Sequence, residues 1–179
     1  MGNLMSDDYL NEKISLVPGM KAPDFQLETE SGMPWRLSDN LGKVIALLFY
    51  PKNETLVCTK QMCSVRDNWS DYLATDALII GISPGTANEH EKFSQRYNLP
   101  ISLLADVDRQ VTEVYGSHWL FPTSFMRTII IIDAKGIVRT RETMLRAFRP
   151  PDNQVITAIY AARADYLSEA YDHLKRNRL

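Results

Sequence analysis

Two residues of this 179-residue chain carry nucleophilic sulfur, Cys58 and Cys63, and the chain has no other cysteine. A cysteine reacts as its thiolate, and two cysteines close in sequence could also share a metal or a disulfide. A structural metal site needs four ligands, usually Cys or His. The three histidines, His90, His118 and His173, are scattered along the chain, so no metal is expected. A stapled secreted scaffold would carry more cysteines in a shorter chain. If the segment is helical, its spacing also argues against a static disulfide. Five residues along an α-helix rotate the chain by about 500° and advance it about 7.5 Å. The side chains then point about 140° apart, with Cα atoms roughly 8.6 Å apart. Disulfides rarely span more than about 7 Å between Cα atoms. An intact helix forbids the bond, whereas local unwinding permits a transient one.

The elements around the pair follow from pattern. Val44–Tyr50 (VIALLFY), Ala77–Ile82 (ALIIGI) and Thr128–Asp133 (TIIIID) are apolar runs bounded by Gly, Pro or turn residues. Runs of that length read as strands buried on both faces. Ile137–Thr143 follows Ala134-Lys135-Gly136 and reads as the return strand of a hairpin. Helical patterns cover Cys58–Tyr72, Asn88–Tyr97, Asp108–Tyr115 and Asn153–Lys175. In the last, Ile156, Ile159, Tyr160, Leu167, Tyr171 and Leu174 recur at helical intervals and are expected along one face. Lys175, Arg176 and Arg178 complement the dipole at its end. With a short β-like segment at Phe25–Leu37, the order predicts an α/β sandwich with a mixed central sheet flanked by helices and a long C-terminal helix. Residues 1–179 are expected to form one domain, with a polar tail at 1–14 and a helical extension at 150–179. Pattern alone leaves several α/β folds open.

In this arrangement Cys58 follows a buried strand and a loop and opens a helix. Helix N-termini favour thiolate over thiol. A lone cysteine there would more simply be a small buried hydrophobe. Net charge is −2, which leaves no basic surplus to set against phosphates, so nucleic acid is not an expected partner. No apolar run approaches the length of a membrane span, and the N-terminus lacks a secretory layout, so a cytoplasmic location is expected. Met1–Ser6 fits a myristoylation pattern too loose to assign acylation. Asn53-Glu54-Thr55 and Asn68-Trp69-Ser70 match the glycan-acceptor pattern and are read as coincidence.

Pro51-Lys52-Asn53-Glu54-Thr55-Leu56-Val57-Cys58 resembles the P-x-x-x-T-x-x-C signature of peroxiredoxins. Cys58-Thr59-Lys60-Gln61-Met62-Cys63, followed by Arg66-Asp67, resembles the bacterioferritin-comigratory or peroxiredoxin Q subfamily. Gly19–Phe25, Gly81-Ile82-Ser83 and Phe125–Gly136 extend the resemblance to roughly residues 15–145. It implies a thioredoxin-like fold and a thiol peroxidase acting on hydrogen peroxide and organic hydroperoxides without metal or organic cofactor. Cys58 would attack the peroxide, and Cys63 would then close a Cys58–Cys63 disulfide that thioredoxin or a similar dithiol reduces. Thr55 would hydrogen-bond the thiolate and the attacked oxygen, and Pro51 would shield the pocket from water. Arg127 would favour the thiolate and steady charge on the peroxide oxygens. Gln61 would orient that arginine, and amides near Val57 and Cys58 would assist.

Each role has a plainer alternative. Thr55 could serve only as an N-cap, Arg127 could be a surface residue of its strand, and Arg66 is expected in a helix-side ion pair. Phe49, Tyr50 and Trp69 are expected in the core. Met62 and Met126 could line a channel, although Met is usually gap-filler. Val57 stands where close relatives often have Gly, which would narrow the peroxide pocket. The C-terminal helix could pack on its own sheet or build a homodimer. Rival readings are a general thiol–disulfide oxidoreductase, disfavoured by the missing C-x-x-C, and a non-catalytic redox-responsive binding or chaperone module.

Overall fold

A computed structural model describes residues 16–116, 126–145 and 148–176. The expected acylation pattern, the 1–14 tail, His118, Phe125 and Arg178 lie outside the described residues, as do the side chains of Met126 and Leu174.

The VIALLFY run supplies the centre. Strand β3 (Ile45–Phe49) is buried along its whole length, and its alternating side chains feed two cores. Ala46, Leu48 and Tyr50 face one, while Ile45, Leu47 and Phe49 face the other. Period-two alternation in an all-apolar run requires cover on both sides, and helices provide it. Beside β3 lie β4 (Leu78–Ser83), parallel, and β6 (Met126–Ile132), antiparallel. The hairpin through Ala134-Lys135-Gly136 forms as expected, with β7 (Val138–Leu145) antiparallel to β6 and Gly136 at φ +85° in the turn.

On the other side, β5 (Ser102–Ala105) pairs parallel with β4. The Phe25–Leu37 segment resolves into β1 (Gln26–Thr29) and β2 (Pro34–Arg36), with β1 antiparallel to both β2 and β5. The sheet is therefore mixed and seven-stranded among the described residues, in the order β2-β1-β5-β4-β3-β6-β7. Strand β5 has no counterpart in the sequence reading. Four residues directly after Pro100-Ile101 are too short a run to signal alternation.

Three expectations about helices are corrected. The stretch Cys58–Tyr72 is two helices, α1 (Leu56–Asp67) and α2 (Trp69–Ala74). The break is at Asn68, whose side-chain amide donates to the Ser64 carbonyl at 2.9 Å and competes with continued helix. After α3 (Ala87–Tyr97), the expected Asp108–Tyr115 helix shrinks to α4 (Gln110–Val114), because the buried Asp106 carboxylate caps the amides of Val111 and Thr112. Helix α5 (Asp152–Arg176) is as long as expected, but its packed face differs. Val155, Ile159 and Ala162 are buried at i, i+4 and i+7, whereas Tyr160, Leu167 and Tyr171 are exposed. Adjacent positions lie about 100° apart on a helix, so Ile159 and Tyr160 cannot share that face. The helix packs on its own sheet, in the same core as Cys58, Met62, Val65 and Tyr72.

Candidate active site

The segment joining β3 to α1 sets the geometry. After Phe49 the chain stays tied to β4 through the Tyr50 amide, which donates to Ile82 O at 3.0 Å. It bends at half-buried Pro51, and Glu54 adopts a left-handed φ of 57°. Such a turn at a non-glycine residue persists only when its surroundings hold it. Here they do. The Tyr50 hydroxyl donates to Asn53 Oδ1 at 2.8 Å, and Asn53 Nδ2 meets His90 Nδ1 at 2.8 Å. The other ring nitrogen of His90 faces the Leu104 carbonyl at 3.1 Å. A carbonyl only accepts, so Nε2 carries the hydrogen and Nδ1 accepts from Asn53. Burial lowers the His90 pKa, which keeps the ring neutral for that role. At the rim, Glu54 pairs with Arg96 at 2.7 Å.

Thr55 then caps α1. Its backbone is extended (φ −78°, ψ 146°), and its hydroxyl oxygen accepts from the Cys58 amide at 3.4 Å. The N-cap reading of Thr55 is thus realised, and its contact is with the Cys58 amide rather than with sulfur. A hydroxyl that accepts in this way still has its own hydrogen to offer. Because Thr55 engages the Cys58 amide, that amide is not left open as a donor. Cys58 is therefore the third residue of the helix and fully buried.

Arg127 reaches this sulfur from β6. It is 1% exposed, so it is no surface residue. Its Nη2 lies 3.0 Å from Cys58 Sγ, and its Nη1 donates to Gln61 Oε1. One planar fork thus spans two residues of α1 almost one turn apart, a task that suits guanidinium. Gln61 is itself buried, and the pairing expected between it and Arg127 is present.

Cys63 is half-buried and lies in the same unbroken helix, and both thiols are free. The structure brings Cys58, Thr55, Gln61 and Arg127 together, with half-buried Pro51 on the connecting segment and half-buried Val57 in the first turn of α1. Arg66 makes the expected ion pair, with Asp67 at 2.8 Å, and also donates to Tyr97 O. Phe49, Tyr50 and Met62 are core, and Trp69 packs against it.

Sequence reasoning missed two groups. One is the Tyr50–Asn53–His90 chain, since Asn53 registered only as a glycan pattern whose amide the fold in fact uses. The other is Asp152, which gathers Ser64, Asn68 and Tyr72 at the far end of α1. The linear sequence carries no signal for contacts that span 80 residues or more.

Comparison with known proteins bears on this arrangement. The model of the AhpC/TSA family matches residues 18–141. The chain is 39% identical over 124 residues to the peroxiredoxin Bcp of Bacillus subtilis (strain 168), covering 66% of this chain and 79% of that protein. It is 38% identical over 122 residues to the chloroplastic peroxiredoxin Q of Triticum aestivum, covering 68% and 56%. Among solved structures it resembles the peroxidoxin BcpB of Mycobacterium tuberculosis, with TM-score 0.70 and 27% identity, over 83% of this chain and 97% of that one.

Proposed function

Since the chain belongs to the AhpC/TSA family and is a thiol-dependent peroxidase of thioredoxin-like fold, we propose that Cys58 is its peroxidatic nucleophile and Cys63 its resolving partner. The observation that carries this reading is the 3.0 Å contact between the buried Arg127 guanidinium and Cys58 Sγ. A fixed cation held against the sulfur is placed to stabilise the charge that develops on peroxide oxygen as the O–O bond breaks.

The Cys58 thiolate attacks one oxygen of ROOH and breaks the O–O bond. RO⁻ leaves, takes a proton as ROH, and Cys58 becomes the sulfenic acid. Arg127 serves as the charged donor, Gln61 holds its plane, and Thr55 fixes the Cys58 turn while offering its hydroxyl hydrogen to the peroxide. Pro51 and Val57 line the pocket and limit water. Cys63 then attacks the sulfenic sulfur, releasing water and forming the disulfide. A dithiol reduces that bond by exchange, for which we propose thioredoxin. We place the cycle in the cytoplasm and assign it to residues 1–179 as one domain.

The second step needs motion, since α1 is intact from Leu56 to Asp67. Its first turn is suited to opening. Leu56 is 77% exposed and Lys60 is exposed, so between Leu56 and Lys60 only Cys58 anchors that turn in the core.

The test pairs two variants in an assay of NADPH, thioredoxin reductase and thioredoxin. Cys58→Ser is expected to abolish peroxide consumption. Cys63→Ser is expected to keep one stoichiometric oxidation and lose cycling. Wild-type turnover by Cys58→Ser would overturn the nucleophile assignment, and unaltered cycling by Cys63→Ser would overturn the resolver.

A further inference from the structure

The disulfide step requires the helix between Cys58 and Cys63 to unwind, and at the Cys63 end of that stretch the next residue is tethered. Ser64 donates from Oγ to Asp152 Oδ2, and Arg149 Nη1 donates to the same Ser64 oxygen at 3.0 Å. Asp152 opens α5, where its negative charge suits the helix N-terminus. Its carboxylate also accepts from Asn68 Nδ2 at 3.3 Å and from the Tyr72 hydroxyl at 2.8 Å, while Arg149 stands 3.6 Å away. Burial, reinforced by this carboxylate, raises the Tyr72 pKa, so the phenol remains a donor. One carboxylate of the C-terminal helix thus gathers three side chains from α1, α2 and the break between them.

We propose that Asp152, acting through Ser64, is a positioning residue for the resolving step: it holds the Cys63 turn helical and sets how fast Cys63 reaches the Cys58 sulfenic acid. Cys63 and Ser64 share a peptide unit. A large change in φ and ψ at Cys63 therefore pulls Ser64 Oγ away from Asp152. The tether is releasable rather than permanent. Asp152 borders a surface cavity of about 410 Å³, beside Asp71 and Tyr160, so water can replace the lost partners instead of leaving a buried charge bare. Neither Ser64 nor Asp152 contacts Cys58 Sγ, which separates this effect from the peroxide step. The inference rests on the Cys58 and Cys63 roles proposed above.

The experiment follows disulfide formation in Ser64→Ala and Ser64→Thr, full-length and reduced, after one equivalent of hydrogen peroxide. Quenched alkylation and mass spectrometry resolve thiol, sulfenic acid, disulfide and sulfinic acid. Ser64→Ala is expected to oxidise at the wild-type rate and to form the disulfide about 5- to 10-fold faster, the worth of a lost net hydrogen bond. It is also expected to accumulate less sulfinic acid in excess peroxide. Alanine is the better helix former, so intrinsic propensity alone would slow unwinding. Ser64→Thr keeps the hydroxyl and is expected to restore the wild-type rate. Normal oxidation with unchanged or slower disulfide formation in Ser64→Ala overturns the tether, as does failure of threonine to restore the rate. A wild-type protein whose Cys58 forms no sulfenic acid overturns the Cys58 assignment itself and, with it, this inference.

Discussion

Replacing Arg127 by lysine keeps the charge and removes the fork. In the wild type, Nη2 serves Cys58 Sγ at 3.0 Å while Nη1 serves Gln61 Oε1. A single ammonium on a thinner stem cannot hold both partners in one plane. The bond at risk is charge-assisted, worth about 1.5–3 kcal/mol. If that bond is expressed in the transition state, the loss is about 10- to 150-fold at about 1.4 kcal/mol per decade. The assay is the second-order rate of Cys58 with hydrogen peroxide, measured by rapid quench and trapping of the sulfenic acid. Arg127→Gln, which also removes the charge, is expected to be slower still. Gln61→Ala separates positioning from charge. It leaves the guanidinium against sulfur but short of one acceptor, so stability is expected to fall by about 1–3 kcal/mol, with a rate loss smaller than in Arg127→Lys. An Arg127→Lys protein that folds normally and reacts within twofold of wild type would refute the reasoning.

Thr55→Val removes the oxygen that caps Cys58. It is expected to cost about 1 kcal/mol in urea unfolding and to slow the peroxide step at least ~10-fold, whereas Thr55→Ser retains both properties. His90 is held neutral by burial, so the unfolded chain takes up a proton below about pH 6.5 before the folded one does. Stability is therefore present above that pH and lost as pH falls below it, by up to about 1.4 kcal/mol per unit. Urea midpoints of wild type and His90→Gln at pH 7.5 and 5.5 should show the steeper loss in the wild type. Gly81→Ala would place a Cβ 2.7 Å from Leu103 Cδ2 and 3.3 Å from Tyr50 Cε1, inside the packed sheet. It is expected to lower stability by about 1–3 kcal/mol by the same measurement.

What could be read without coordinates was governed by short-range rules. VIALLFY could be recognised as a two-faced strand because every side chain was apolar, and TIIIID with its Ala-Lys-Gly turn as half of a hairpin because the turn residues adjoin it. Where competing local bonds or tertiary packing decide, the reading slipped. Asn68 broke a segment with no Gly or Pro by turning its amide onto Ser64, and β5 emerged only because β1 and β4 were there to pair with it. In α5, periodicity correctly announced a long helix and misjudged its face, since small Ala162 and Val155 fit against the sheet where bulkier tyrosines were counted.

The Cys58–Cys63 pair shows the same division. Their types, their spacing and the obstacle that an intact helix sets to their bonding follow from the sequence, because helical geometry is a property of consecutive residues. The arginine on the sulfur comes from 69 positions away, and the carboxylate that holds Ser64, the neighbour of Cys63, from 88. No local rule specifies those distances. They are fixed by β3 pairing with β6 and by α5 packing its Val155–Ile159–Ala162 stripe into the core that holds Cys58, so only the tertiary structure could decide them.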